Sequence, residues 1–177
     1  HDLAARRARA RDGRVVAAIH PFYTASIREF EAAGRPIVGS APVGVDGTAD
    51  WLEAIGRAAN VESALIGEAK QRVLPAIAAA LARTPIKGRI TLSGYEGSEL
   101  LVARLLIESG ADLRYVGTAC PKTAWSAADC QWLEAKGVQV QYRASLEQDL
   151  AAMREYQPQL VIGTTPVVQA AKQANTP

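Results

Sequence analysis

Three loops of this 177-residue sequence carry side chains that could bind or protonate a ligand. The first loop is residues 20–24 (HPFYT), the second is residues 93–98 (SGYEGS) and the third is residues 163–166 (GTTP). Each follows a short apolar run that is typical of a β-strand. Ligands of parallel sheets gather beyond the carboxyl ends of the strands, where these loops are expected. We therefore predict that any chemistry takes place in these loops.

The second loop carries a carboxylic acid, Glu96, between Gly94 and Gly97. If Glu96 faces a dry cavity, its pKa rises and it could donate a proton; the alternative is a solvated turn residue. Glu99 follows in the first turn of a predicted helix, where its charge complements the helix dipole. The patterns GxGxxG and GxxxxGK[ST] are absent from the sequence, so the loop does not match a nucleotide-binding fingerprint.

Alternating β-rich and amphipathic segments must position these loops. Residues 89–92 and 112–116 flank the amphipathic segment 98–108, which predicts two parallel strands joined by a right-handed crossover helix. The whole pattern is typical of an α/β fold with a Rossmann-like, doubly wound parallel sheet. Further strands are predicted at 14–19, 36–39, 138–142 and 160–163, and further helices at 3–11, 23–33, 49–59, 61–83, 126–135, 146–156 and 167–174.

Local signals refine these elements and divide the chain. Asp46 or Thr48 is predicted to cap the helix 49–59, and Pro75 is predicted to kink or divide the helix 61–83. We interpret residues 1–60 as the C-terminal part of a preceding α/β unit, 61–83 as a connecting helix and 84–177 as a Rossmann-like domain. Because the sequence begins with His1, we expect it to be a piece of a longer protein.

Composition argues against several classes of protein. The net charge is +2, from 20 basic and 18 acidic residues, so no global field would recruit nucleic acid. The basic residues between 6 and 11 are interpreted as the solvated face of a first helix. No apolar segment approaches the ~20 residues of a membrane span, and no signal peptide is recognised.

The two cysteines, Cys120 and Cys130, do not form a metal-binding motif. No CxxC, HxxxH or carboxylate cluster accompanies them, so a metal site within this chain is not predicted. Cys130 falls in a helical pattern and is predicted to lie in the core. Cys120 follows a strand, where packing, lining a pocket and metal ligation all stay open. Two scattered cysteines suit a reducing, cytoplasmic location.

Longer segments around these loops resemble the catalytic-component subunits of nitrogenase and its relatives. They are IHPFYTASIREFEAAG, SAPVGVDGTADWLEAIG, GRITLSGYEGSELLVARLLIESGAD, YVGTACP and LEQDLAAMRE. Among the dark-operative reductases of chlorophyll biosynthesis, they are most similar to the Y subunits of the chlorophyllide a reductase family, across essentially the whole chain. Two alternatives stay open: the related protochlorophyllide reductase, which acts on ring D, and a non-catalytic Rossmann-like binding module.

The resemblance implies an oxidoreductase of bacteriochlorophyll biosynthesis that acts on CH–CH groups. It implies a heterotetrameric catalytic component in which subunits Y and Z hold a [4Fe-4S] cluster. An ATP-dependent iron–sulfur reductase, subunit X, would supply electrons for reducing the C7=C8 bond of ring B in chlorophyllide a. The cluster ligands of such relatives lie upstream of His1, and ATP is used by the partner reductase. The resemblance therefore places no metal ligand in this chain, and the piece alone is expected to be inactive.

The resemblance also implies roles for the loop residues. Pro21 falls where the nitrogenase α-chain has a cofactor-binding cysteine, which implies a cavity free for a flat tetrapyrrole. His20 could ligate its Mg or donate a proton, or make a structural hydrogen bond. Aromatic loop residues could stack on the pigment or pack between loop and sheet, and the threonines could bind a propionate or cap a helix. The catalytic candidates are His20 and Glu96, and the predicted substrate contacts are Phe22, Tyr23, Thr24, Gly94, Tyr95, Gly97, Ser98, Thr118, Thr164 and Thr165.

Overall fold

The structure, a computed structural model, describes residues 14–18, 20 and 23–174. The predicted helix 3–11 and its basic residues lie outside the described residues, as do Pro21 and Phe22. No helix in the described ranges is both long enough and apolar enough to span a membrane.

Strands and helices alternate along the described chain, as the sequence predicts. Two parallel sheets form: β1 pairs with β2, and the larger sheet has the order β5-β4-β3-β6. The prediction of an α/β fold with parallel strands is confirmed. The elements are β1 (Val16–Ala18), α1 (Thr24–Ala32), β2 (Ile37–Gly39), α2 (Gly44–Ala58), α3 (Ser63–Arg83), β3 (Arg89–Gly94), α4 (Glu99–Glu108), β4 (Asp112–Thr118), a 3-10 turn (Ala124–Ser126), α5 (Ala127–Ala135), β5 (Gln139–Tyr142), α6 (Leu146–Tyr156), β6 (Leu160–Ile162) and α7 (Thr165–Gln173).

The hydrophobic core lies around the two central strands of the larger sheet. Ile90 of β3 and Val116 of β4 are fully buried, because a parallel sheet is covered by helices on both faces. Leu133 of α5 joins the same cluster. Cys130 is also buried, which confirms its prediction as a core residue. This rigid centre fixes the position of the loops that leave its strands.

Helix α2 begins at Gly44, earlier than predicted. Thr48 lies inside the helix, where its hydroxyl donates to the Gly44 carbonyl at 2.6 Å. The predicted capping by Asp46 or Thr48 is therefore wrong. The N–H groups of Val45 and Asp46 instead donate to the carboxylate of Glu108 at the end of α4. A partner more than 60 residues away in sequence satisfies the helix end, so no local pattern could reveal it.

Helix α3 runs unbroken from Ser63 to Arg83, with Pro75 inside it. The predicted division at this proline does not occur. The helix packs against α2, and a Cβ added at Gly56 would lie 2.3 Å from the Cδ1 atom of Ile66. Gly56 thus permits close contact of the two helices. The division of the chain into a preceding unit, a connecting helix and a C-terminal domain stays a prediction.

A buried arginine on α4 connects the smaller sheet to the larger one. Arg104 is almost fully buried and its Nη1 lies 2.7 Å from Oδ1 of Asp129 on α5. The hydroxyl of Ser40, just after β2, donates to the same oxygen at 2.9 Å. Nη2 lies 3.6 Å from Asp50 of α2, and the guanidinium lies 4.8 Å from the ring centroid of Trp132. Arg104 of α4 therefore contacts α2 and α5 directly, and Asp129 extends this cluster to the end of β2 through Ser40.

Candidate functional site

The second and third loops lie side by side at the point where the strand order reverses. The chain proceeds from β3 outward to β4 and β5, then returns to place β6 on the other side of β3. A Cβ added at Gly163 would lie 3.2 Å from Oγ of Ser93, so the two loops are in contact. Ligands of open α/β sheets bind at such a switch point. The geometry therefore favours this edge of the sheet as the candidate site.

The end of β1 reaches the second loop as well. Ala18, the last residue of β1, and Gly97 line one small cavity together with Ser40 and Asp129. Its volume is about 20 Å³, which is room for about one water molecule. The structure thus brings the carboxyl end of β1 close to the second loop. The cavity itself is far too small for a tetrapyrrole.

Two larger depressions lie away from the loop tips. One of about 550 Å³ is lined by residues of 31–39 together with Ala124 and Trp125. The other, of about 400 Å³, lies between α3 and the ends of α2 and α4. Neither is lined by Tyr95, Glu96 or Thr164. The single hollow predicted from the sequence stays a prediction.

The tip of the second loop presents an aromatic ring and a carboxylate to the surroundings. Tyr95 is 54% exposed and Glu96 is exposed beside it. Gly97 follows with a φ of +85°, a left-handed conformation that glycine adopts without steric cost. The exposed carboxylate matches the solvated alternative for Glu96. Its role as a proton donor stays a prediction.

A buried carboxylate holds this loop in place. Glu99 is only 4% exposed. Its Oε1 accepts the N–H groups of Glu96 at 2.8 Å and Gly97 at 3.1 Å, and its Oε2 accepts the Gly97 N–H at 3.0 Å. The hydroxyl of Thr118 donates to Oε2 at 2.6 Å. Glu99 does lie in the first turn of α4, but sequence reasoning missed its bonds to the loop.

The end of β4 completes the support of the second loop. Thr118 is fully buried, and its hydroxyl oxygen also accepts the N–H of Cys120 at 3.1 Å. The Cys120 thiol donates to the Gly97 carbonyl at 3.3 Å, and the Ala119 N–H donates to the Gly94 carbonyl at 3.2 Å. The Thr118 hydroxyl therefore already makes hydrogen bonds with Glu99 and Cys120. Its contact with a substrate stays a prediction.

The third loop offers a hydroxyl that lacks a partner. Thr164 occupies the N-cap position of α7 but makes no side-chain capping bond. Its Oγ1 is buried and accepts or donates no hydrogen bond. Thr165, the first residue of the helix, is exposed. Gly163, which precedes both threonines, lies beside Ser93, and the buried Thr164 hydroxyl has unused hydrogen-bonding capacity.

The first loop is described only at His20, Tyr23 and Thr24. The rings of His20 and Tyr23 lie 5.4 Å apart at an interplanar angle of 48°. The Tyr23 N–H donates to the His20 carbonyl at 3.3 Å. Tyr23 is 63% exposed and Thr24 begins α1. Two aromatic rings therefore neighbour one another after β1, on a loop whose Pro21 and Phe22 fall outside the described residues.

The donor set of the described residues does not fit an iron–sulfur cluster, which is held by several cysteine thiolates. Burial raises the pKa of the Cys120 and Cys130 thiols, and the Cys130 thiol donates to Glu134 at 3.3 Å. Within residues 14–18, 20 and 23–174, no three His, Cys, Asp or Glu side chains form a group that could hold a metal ion. Cluster ligation by this part of the chain is therefore unsupported.

The arrangement suits recognition of a flat, partly polar molecule. Aromatic rings at the tips can stack on or edge against a π-surface. Hydroxyl groups and a carboxylate nearby can bind polar substituents or transfer a proton. The loop that carries Tyr95 and Glu96 is held from below by the hydrogen bonds of Glu99.

Known proteins share this fold and sequence. A chain of the solved structure "Nitrogenase Cp1 at pH 6.5" superimposes with a TM-score of 0.63 at 18% identity, covering 95% of this chain and 38% of that one. Two relatives, each named "Chlorophyllide reductase 52.5 kDa chain", come from Cereibacter sphaeroides and Rhodobacter capsulatus. Both are 66% identical over 166 residues, which is 94% of this chain and 33% of each relative. The chain thus spans about a third of the length of these relatives. Residues 5–177 match the nitrogenase component 1 type oxidoreductases, and the chain belongs to that family.

Proposed function

We propose that this chain is part of the catalytic component of a nitrogenase-like chlorophyllide a reductase, as a stretch of its Y subunit. The observation that supports this most strongly is the 66% identity over 166 residues to two chains named chlorophyllide reductase. The nitrogenase-like fold is consistent with the same assignment. The proposed activity is an ATP-dependent, cytoplasmic oxidoreductase reaction of the whole complex.

The proposed reaction adds two electrons and two protons across the C7=C8 bond of ring B in chlorophyllide a. The electrons would come from a partner iron–sulfur reductase, subunit X, which hydrolyses ATP. A [4Fe-4S] cluster shared with subunit Z would supply one-electron chemistry, with ligands outside this chain. The part assigned to this chain is to bind and orient the pigment and to deliver a proton.

The loop tips at the switch point are the proposed pigment contacts. Tyr95 would lie against the macrocycle, because an exposed ring gains contact area there with little loss of entropy. Glu96 would supply a proton to the pigment once the bound macrocycle excludes water from the loop tip. The unpartnered hydroxyl of Thr164 would bind a carbonyl or propionate, and His20 would ligate Mg or donate a proton from the first loop. The predicted contacts of Tyr23, Thr24, Gly94, Gly97, Ser98, Thr118 and Thr165 belong to the same proposal.

Reconstitution of the full-length protein with its partner subunits tests the proposal. The purified complex is assayed by absorbance with chlorophyllide a and, separately, with protochlorophyllide. Reduction of ring B in chlorophyllide a is expected, and reduction of protochlorophyllide alone would replace the assignment with the ring D enzyme. Binding of a nucleotide without turnover of either pigment would favour a binding module.

Variants of the full-length protein test the site within that assay. Glu96→Gln is expected to lower kcat by about 10²-fold or more, since general acid catalysis contributes about that much. Tyr95→Ala is expected to raise KM for the pigment. Glu147→Gln, an exposed carboxylate in the first turn of α6, is the matched control and should leave both constants unchanged. Wild-type constants for the Tyr95 and Glu96 variants would remove these residues from the site.

A further inference from the structure

We infer that Glu99 is a positioning residue for the second loop, which it holds in the conformation that presents Tyr95 and Glu96 to the pigment. The inference rests on the proposed function. Glu99 touches no reacting atom in this account, because its carboxylate is buried beneath the loop. It acts through the two residues at the exposed tip.

The carboxylate of Glu99 is bonded from two sides. Both oxygens accept N–H groups of the loop, from Glu96 and Gly97. Oε2 also accepts the hydroxyl of Thr118, the last residue of β4. Glu99 therefore bridges the loop to the neighbouring strand, whereas a simple helix cap would satisfy only the N–H groups of its own helix end.

Glycines make this bridge possible. A Cβ added at Gly94 would lie 2.5 Å from Oε1 of Glu99, too close for two non-bonded atoms. Gly97 has a φ of +85°, which residues with a Cβ rarely adopt, and its N–H donates to both oxygens of Glu99. The loop sequence thus leaves space for the Glu99 side chain and supplies its donors.

Loss of the carboxylate would affect the ligand and not only the fold. Hydrogen bonds to a charged group are about twice as strong as neutral ones. Without them, the loop keeps the bonds from Ala119 to Gly94 and from Cys120 to Gly97. The fold would then survive, but the tip would sample several conformations. Pigment binding would have to order it again, which weakens binding.

The test uses the full-length protein in complex with its partner subunits. Glu99→Gln keeps the size of the side chain but replaces one accepting oxygen with an NH₂ group, which only donates. The variant therefore cannot accept all of the N–H groups of Glu96 and Gly97 and the Thr118 hydroxyl at once. We expect Kd and KM for chlorophyllide a to rise about tenfold, as for loss of about one charge-assisted hydrogen bond. The fall in kcat should be smaller, and hydrogen exchange at the Glu96 and Gly97 amides should accelerate.

Two further variants separate positioning from general stability. Thr118→Val removes the bond to Glu99 together with the acceptor of the Cys120 N–H. It should raise KM about threefold, because a neutral donor contributes less than the full set, whereas Thr118→Ser keeps the hydroxyl and should show the wild-type KM. Glu108→Gln is the matched control, since this carboxylate also binds backbone N–H groups but at the other end of α4. It should weaken α2 and leave KM for the pigment unchanged.

The possible outcomes distinguish this inference from the proposed function. A wild-type complex that neither binds nor reduces chlorophyllide a refutes the proposed function, whatever the exchange rates at Glu96 and Gly97. A folded Glu99→Gln complex with wild-type Kd, KM and exchange rates refutes the positioning role alone. If that variant does not assemble, wild-type KM in Thr118→Val overturns the inference.

Discussion

Removal of the Arg104 guanidinium should destabilise the larger sheet strongly. The side chains of Arg104 and Asp129 are 3% and 4% exposed, and their closest N and O atoms are 2.7 Å apart. Arg104→Met keeps most of the apolar stem but leaves the Asp129 carboxylate buried with the Ser40 hydroxyl as its remaining described partner. Breaking a buried pair in this way costs about 3–5 kcal/mol, and the lost cation–π contact with Trp132 adds about 0.5–2 kcal/mol.

Native-state hydrogen exchange on the full-length protein measures this loss. The free energy of opening is read from the amides of β3 and β4, which flank α4 in the core. The matched control is Arg114→Met. Its guanidinium also lies 2.7 Å from a carboxylate, that of Asp112, but the two side chains are 47% and 44% exposed. An exposed pair contributes about 0–1 kcal/mol.

The comparison between the two variants decides the result. Arg104→Met should lower the opening free energy by several times more than Arg114→Met. The double variant Arg104→Met, Asp129→Asn should recover part of the loss, because no buried charge then lacks its partner. Equal losses of under about 1 kcal/mol in Arg104→Met and Arg114→Met would refute the view that this buried pair joins the two sheets.

Three further predictions concern individual carboxylates and thiols. Glu108→Ala should destabilise α2 by about 1 kcal/mol, the usual effect of losing a cap, and Asp46→Asn should destabilise it by less. Thermal unfolding of the full-length variants measures both losses. A larger loss in Asp46→Asn would show that Asp46 caps the helix, as the sequence predicts. Burial raises the pKa of the Asp149 carboxyl above its ordinary value of 3.8, against the opposing effect of a hydrogen bond. The protonated form is therefore favoured in the fold, so stability should fall as pH rises from about 4 through the raised pKa. D149N should lack this fall, and identical pH profiles of unfolding would contradict the reasoning. Burial also raises the pKa of the Cys120 and Cys130 thiols. Both should therefore resist iodoacetamide in the native protein at pH 8 and react after unfolding, as measured by mass spectrometry. Rapid labelling of the native protein would contradict this prediction.

The sequence predicted the elements of the fold well because their signals are local. Apolar runs and glycine stops depend on neighbouring residues, and helix α6 begins and ends where the pattern placed it. The helix after the loop SAPVGV was placed too late because its end is satisfied by Glu108, far away in sequence. Pro75 is a local signal for a kink or a division, and the division does not occur because helix α3 continues through it.

The adjacency of the second and third loops was predictable from the sequence, but the contacts that support the second loop were not. Strand ends with glycines, aromatic residues and threonines indicated the loops, and topology brings Ser93 of the second loop beside Gly163 of the third. The role of these loops as a binding site stays a prediction. The bond between Glu99 and Thr118 joins residues 19 positions apart and depends on how two strands align. Local reasoning gave Glu99 only a helix-dipole role. The signal available in the sequence is a carboxylate two residues after a glycine turn, because a side chain there can accept the N–H groups of the turn, as a residue in a capping box does.

The most direct test of the account is a structure of the full-length complex with chlorophyllide a bound. The macrocycle should lie over the switch point, with its edge or face within about 4.5 Å, a contact distance, of Tyr95 and of the third loop. Glu99 should still hold the second loop from below. A pigment bound elsewhere on the complex, with the tips of the second and third loops facing solvent, would contradict this prediction.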